Sequence, residues 1–230
     1  MYIIRYFLNN SAAYKQPNLN HASCIGFNGG LFNIKSSIFL NNHDIDTSSS
    51  IINFKGNGAI IKNSIFLNNS YAHNKGLIIS DISNFIANGN WWGNTLNNYS
   101  TCPKMDNNIV CENWIILNAY SNATSLNINQ LAQITFDFNN VYDKNTSSII
   151  LYNAKEFPNL NLTISTINGK ADYNSISIVN GKAKIKYNLT DYDDGVITAS
   201  YNVVNASVYF NFTKINPEIQ INGLNITWAL

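Results

Sequence analysis

Two segments of the chain, IKSSIFLNN at 34–42 and IKNSIFLNN at 61–69, differ at one position and lie 27 residues apart. A third, weaker copy is RYFLNN at 5–10, and a fourth is ISNFIANGN at 82–90. Between them lie glycine and asparagine clusters: GFNGGLFN, FKGNGAI and AHNKGL. Short apolar runs recurring at spacings of roughly 19–32 residues, with turn residues between them, point to a solenoid, in which each unit buries its apolar face only against the next. A helical repeat needs apolar residues at 3.6 spacing over ten or more positions. Here the runs span four to six residues and are rich in Ile and Phe. That pattern predicts short strands stacked in parallel, one coil on the next, over residues 1–100.

Stacking in parallel sets like residues on like. Ile34 is expected over Ile61 and Phe39 over Phe66, as apolar ladders inside the coils. Asn42 is expected over Asn69 at a turn, with side-chain amides bonding from coil to coil. Gly and Asn also tolerate the left-handed backbone that tight turns need. SIFL has no strongly polar member, so alternation leaves the facing of each residue open.

The last coil of a solenoid must be covered. NGNWWGN at 88–94 follows directly after the last recognisable copy. Neighbouring side chains of an extended segment point to opposite faces. One of Trp91 and Trp92 is therefore expected to plug the terminal coil, and its neighbour to pack under the departing chain. Asn90, Trp91, Trp92 and Gly93 form the expected cap; an aromatic platform for carbohydrate is the competing reading.

The texture changes at Trp114. Separate alternating strands are expected at 114–120, 133–139, 160–166, 182–189, 195–202 and 207–214, with turns at NGK (168–170), NGK (180–182) and DYDDG (191–195). Short strands at this spacing predict a β-sandwich over 114–214. Residues 101–113 read as a linker, and 215–230 as a linker with the start of a further strand. Few good helix formers are present, about a fifth of the chain is Asn, and β-branched and aromatic types dominate the apolar set, so the fold class is all-β.

Coils of the form I-x-N-S-x-F-x-N-N closed by GNWWGN resemble the right-handed parallel β-helix of adhesin-like surface proteins of methanogenic archaea. The resemblance covers residues 1–100, and Asn90–Gly93 is its most specific element. The FLNN coils are shared with pectate-lyase-like and polymorphic outer-membrane proteins. NG-KAKIKY, DDG-VITASY and VYFNF resemble bacterial-type immunoglobulin-like domains, which often follow the β-helix in such proteins and open on a strand like WIIL. The resemblance implies about four coils followed by an immunoglobulin-like sandwich at the cell surface. Helices in that family are usually longer, which implies that this chain is a fragment.

Charge excludes one class of partner. Net charge is +1, with six basic and three acidic groups in residues 1–100 and eight and ten in 101–230. Neither half carries a nucleic-acid footprint. No apolar run is long enough to insert in a membrane. Cys102 and Cys111 are close enough to close a short loop, which suits an exported protein, or they are two unrelated thiols. Cys24 reads as a small buried apolar residue.

Candidate chemistry is sparse. The glutamates are Glu112, Glu156 and Glu218, none of them in the repeat. Glycoside hydrolysis generally needs two carboxylates across a cleft, for which the repeat offers Asp44, Asp46 and Asp81. His43 and His73 each follow an Asn-Asn pair without a third metal ligand, and DYDDG lacks the closing glutamate of a calcium loop. No catalytic residue, metal or cofactor is assigned. N-x-S/T sequons are plentiful, among them Asn9, Asn68, Asn145 and Asn205. The expected partner is a polysaccharide or cell-surface glycoconjugate, bound without catalysis; a polysaccharide lyase or hydrolase and a purely structural stalk are the alternatives.

Overall fold

The computed structural model describes residues 5–12, 22–44, 50–71, 76–81, 84–98 and 102–214. The chain is all-β, and the described residues contain no α-helix. The calls on Asp46, His73, Glu218 and residues 215–230 fall outside the described residues.

Twelve short strands occur among the described residues of the first half. They are β1 (Tyr6–Leu8), β2 (Ser11–Ala12), β3 (Ala22–Asn28), β4 (Leu31–Lys35), β5 (Ile38–Leu40) and β6 (His43–Asp44), then β7 (Ser50–Lys55), β8 (Gly58–Lys62), β9 (Ile65–Leu67), β10 (Ile78–Ser80), β11 (Phe85–Ile86) and β12 (Ile109–Val110). They form parallel sheets in the orders β1-β5-β9, β10-β7-β3, β12-β11-β8-β4 and β2-β6. Ile34 pairs with Ile61 and Phe39 with Phe66. The aromatic rings stack in the same register. Phe7 and Phe39 have centroids 4.5 Å apart, and Phe39 and Phe66 are 4.4 Å apart. Such pairs contribute roughly 0.5–1.5 kcal/mol each beyond burial.

Both faces of β5 and β9 are buried. Phe39 and Phe66 point into the core shared with Ile34, Ile51, Phe54 and Ile61. Ile38, Ile65 and Leu67 belong to the other core, which is otherwise almost entirely made by the second half of the chain. SIFL is apolar throughout because it packs on both sides.

The corners repeat as well. Asn9, Asn41 and Asn68 have φ of 54°, 56° and 50°, and Ser36, Asn63 and Gly89 have 50°, 53° and 66°. Asparagine fills most of these left-handed positions because its side chain tolerates them at low steric cost. At the next position inward the amides form a ladder. Asn10 Nδ2 donates to Asn42 Oδ1 at 2.8 Å, and Asn42 Nδ2 donates to Asn69 Oδ1 at 2.9 Å and to the Phe7 carbonyl at 2.8 Å. Asn42 is fully buried, so each of these bonds offsets a desolvation cost.

Ten strands make the second half: β13 (Asn113–Ser121), β14 (Ser125–Leu126), β15 (Leu131–Asp143), β16 (Ser148–Leu151), β17 (Leu160–Ile167), β18 (Gly169–Ala171), β19 (Ser175–Ile178), β20 (Lys182–Leu189), β21 (Gly195–Tyr201) and β22 (Val204–Phe212). One sheet runs β13-β15-β20-β18 with β16 on β15, and the other runs β14-β22-β21-β17-β19. Strict alternation in β20 and β22 puts Ile185, Tyr187, Val208 and Phe210 inside. The Tyr187 hydroxyl donates to the Ile167 carbonyl at 2.8 Å. A Cβ on Gly195 would lie 2.2 Å from that hydroxyl oxygen, so the site requires glycine.

Residues 102–113, expected as a linker, instead extend the stacked sheets. Leu77 N–H donates to the Lys104 carbonyl at 2.9 Å, and Phe85 and Ile86 pair with Ile109 and Val110. The β1-β5-β9 sheet, carried on by Trp91 beside Ile65, gains β13 itself. Ile115 N–H donates to the Asn90 carbonyl and Leu117 N–H to the Asn94 carbonyl, both at 2.9 Å. The first strand of the sandwich is thus also a rung of the array.

Asn42→Asp should destabilise the chain by about 3–5 kcal/mol, because a buried carboxylate would then face Asn69 Oδ1 and the Phe7 carbonyl. Asn42→Ser, which leaves those acceptors unpaired without adding charge, should cost about 1–3 kcal/mol. Thermal melts of the two variants at neutral pH check the order, and equal midpoints would contradict it.

Candidate functional site

The tryptophan pair occupies a rung, and its register differs from the one expected from the sequence. Ile65 bridges to Trp91, so Trp91 and Trp92 take the places of Ile65 and Phe66. ISNFIANGN, read from the sequence as a fourth copy of the same run, does not supply this rung: Phe85 pairs with Ala59, in a different sheet. Asn90 stands where Ser64 and Ser37 stand in the earlier rungs. Ser64 N–H donates to Asn90 Oδ1 at 3.0 Å, and Ser37 N–H donates to Ser64 Oγ at 3.2 Å. The small polar residue before the apolar pair was the signal for this alignment.

The two indoles face opposite ways. Trp92 continues the ring stack, 4.6 Å from Phe66, and packs on the repeat core. Its Nε1 is buried without a hydrogen-bond partner. Trp91 is fully buried on the other side, 4.7 Å from Phe138, 6.1 Å from Tyr201 and 6.5 Å from Phe157. Its Nε1 donates to the Asn94 carbonyl at 2.8 Å. Gly93 has φ of 91°, and a Cβ there would lie 3.0 Å from Leu67 and 3.3 Å from Val204. The tight passage between array and sandwich needs that residue. Phe138, Phe157 and Tyr201 lie far along the chain from Trp91, and no local pattern marked them as its partners.

A polar seam flanks this junction. Tyr152 donates its hydroxyl to Asn63 Oδ1, and Asn63 Nδ2 donates to Glu156 Oε2 at 3.1 Å. Ser36 Oγ donates to the Glu156 carbonyl. Burial raises the Tyr152 pKa, and the Glu156 carboxylate raises it further. Tyr152 therefore stays a protonated donor at neutral pH. Its carboxylate neighbour serves a structural contact.

The remaining candidates are scattered. His43 is exposed on β6, its ring hydrogen-bonded to the Ser70 hydroxyl. Asp44 lies next to it on the same strand. Asp81 pairs with Lys55 at 3.4 Å, on a different sheet edge. No group of three His, Cys, Asp or Glu side chains placed to hold a metal occurs among the described residues. Cys102 and Cys111 form a disulfide that clasps the last rungs. Cys24 is only partly buried; desolvation still pushes its thiol up to about 11.

Three cavities among the described residues have ligand-sized volumes, and that of about 410 Å³ lies beside the Cys102–Cys111 loop. One, about 570 Å³, opens at the first rungs between Arg5, Phe7, Ile25, Phe32 and Lys35. Another, about 310 Å³, lies at the far end of the sandwich beside Asn127, Ile128, Tyr192 and Phe212. No helix among the described residues is long and apolar enough to cross a membrane.

The two tryptophans should respond differently to one substitution. Trp92→Phe continues the ring ladder and removes an unpaired buried N–H, so stability should change by less than about 1 kcal/mol. Trp91→Phe loses a made hydrogen bond and opens a gap among Phe138, Phe157 and Tyr201, and should cost about 2–4 kcal/mol. Denaturant midpoints of both variants decide, and a larger loss for Trp92→Phe would reverse the assignment.

No protein-family model matches the chain, and no curated protein matches it.

Proposed function

We propose that this chain is a non-catalytic segment of a cell-surface, adhesin-like protein of the kind found in methanogenic archaea. On this reading the parallel sheets are a short right-handed β-helix, and the sandwich is an immunoglobulin-like domain. The observation that carries it is the rung register: like residues stack at a 27-residue offset, from Ile34 on Ile61 to Leu40 on Leu67, and the ring column runs on to Trp92. Such a stack makes a stiff rod whose turns present amides in rows. Asn41 and Asn68 are one such row, with Asn68 Nδ2 donating to Asn41 Oδ1 at 2.8 Å.

The sandwich adds exposed rings, among them Tyr192 at 78% and Tyr209 at 69% exposure. Amides and ring faces suit the hydroxyls and C–H faces of a polysaccharide or glycoconjugate. The Cys102–Cys111 disulfide fits an oxidising, extracellular setting, where N-glycosylation of the exposed sequons is also available.

The test is to incubate the purified chain with a panel of plant, host and microbial polysaccharides, and to assay retention and new reducing ends in the same tubes. Retention without cleavage is the expected result. New reducing ends would overturn the reading in favour of an enzyme. Retention on nothing in the panel would overturn ligand binding and leave a structural stalk.

A further inference from the structure

Charge is divided unevenly between the two sheets of the sandwich. The strands of one sheet, β14, β17, β19, β21 and β22, contain no charged residue. In the other sheet β20 carries Lys182, Lys184 and Lys186, all exposed, in alternation with the buried Ala183, Ile185 and Tyr187. Lys170 on β18 is exposed on the same face, in register with Asn188, the next outward position of β20 after Lys186. Alternate residues of a strand stand about 6.5–7 Å apart on one face. The four ammonium groups therefore follow one another along the sheet in a row.

Nothing inside the chain neutralises that row. None of the four lysines makes an ion pair among the described residues. Asp137 lies opposite Lys182 but is 4% exposed, and its Oδ1 accepts from the Asn139 N–H at 3.2 Å and from Asn140 Nδ2 at 2.8 Å. Asp172, at the margin, accepts the Lys186 backbone N–H at 3.1 Å. Lysine commonly guards the terminal strand of a sheet, but β20 lies between β15 and β18 and is not terminal. Beside the row stand an exposed amide, Gln133 opposite Lys186, and a half-exposed ring, Tyr120, with Lys182 Nζ 6.0 Å from its centroid.

We propose that the outer face of β15, β20 and β18 binds an anionic polysaccharide, laid along β20 with its acidic groups against Lys182, Lys184, Lys186 and Lys170. The proposal rests on the carbohydrate reading above and names the class of saccharide. Charge complementarity selects an anion, and the row selects a polymer: ammonium groups standing side by side match repeated charges, whereas a single phosphate needs donors that converge. Nucleic acid fits less well. A single strand needs successive rings on which to stack, and this face offers only Tyr120.

The experiment uses the full chain with two acidic probes, polygalacturonic acid and dextran sulfate, each beside its uncharged match, the methyl-esterified polymer and dextran. At low salt at least one acidic probe should bind about tenfold or more tightly than its match, and the gain should vanish in 1 M salt, where the Debye length is about 3 Å. Lys182→Gln, Lys184→Gln and Lys186→Gln together should weaken that binding about tenfold, the combined effect of three exposed ion pairs. Lys104→Gln, Lys144→Gln and Lys155→Gln, the same change in net charge away from this face, should weaken it less than about twofold. The first triple variant should melt no lower than the parent, because it removes like-charge repulsion. A lower midpoint would show that the lysines serve the fold and would overturn the proposal. Equal binding of acidic and uncharged polymers, or equal losses in the two triple variants, would overturn it and leave the carbohydrate reading standing. Retention of no polysaccharide at all would overturn both. Equal affinity for anionic lipid vesicles or single-stranded DNA would make the row a general polyanion surface, which also contradicts the proposal.

Discussion

The constraint on which the rest depends is the double burial of one three-strand sheet. In β5 and β9 the central phenylalanine points into the repeat core, and its flanking aliphatic residues point into the sandwich core. A strand buried on both faces must be apolar at every position. That is why SIFL is written twice almost unchanged. It also fixes where the sandwich sits, against the flank of the array as well as in line after it. The Tyr152–Asn63–Glu156 seam is the polar border of the same contact, and Gly93 is the point where the chain crosses it.

A stack of few rungs has little interior, so its polar groups must contribute order as well as solubility. The Asn10–Asn42–Asn69 ladder does this by satisfying each buried amide with the next one. The Ser37–Ser64–Asn90 column does it along the neighbouring turn, and Asn90 further donates to the Ile61 and Ala87 carbonyls at 2.8 and 2.9 Å. Each rung is thus specified by the one before it. The register has no freedom to slip by one residue without exposing an aromatic ring and burying an unpaired amide together.

Much of this was legible in the chain. Repetition at a fixed offset dictates the pairing of Ile34 with Ile61, Phe39 with Phe66 and Asn42 with Asn69, whatever surrounds them. Strands such as KAKIKYNL and VYFNF announce themselves by alternation. What was not legible depends on contacts between distant segments. Ile38 and Leu40 join the core that holds Phe157, Tyr201 and Val204, from a part of the sequence with no local relation to them. The fourth rung was misaligned because Trp91 and Trp92 stand where earlier rungs have Ile and Phe. The segment at 101–113 looked like a linker because its strand β12 is only two residues long and follows Pro103 and a turn. Strands β16 and β19, four residues each, were missed for a similar reason: one is exposed along its whole length and the other follows a polar stretch.

The central claim is that array and sandwich share one core and one strand, and so fold as one unit. Scanning calorimetry of the full chain tests this directly. The account predicts a single transition whose calorimetric and van't Hoff enthalpies agree. Two resolved transitions, one for each half, would contradict it.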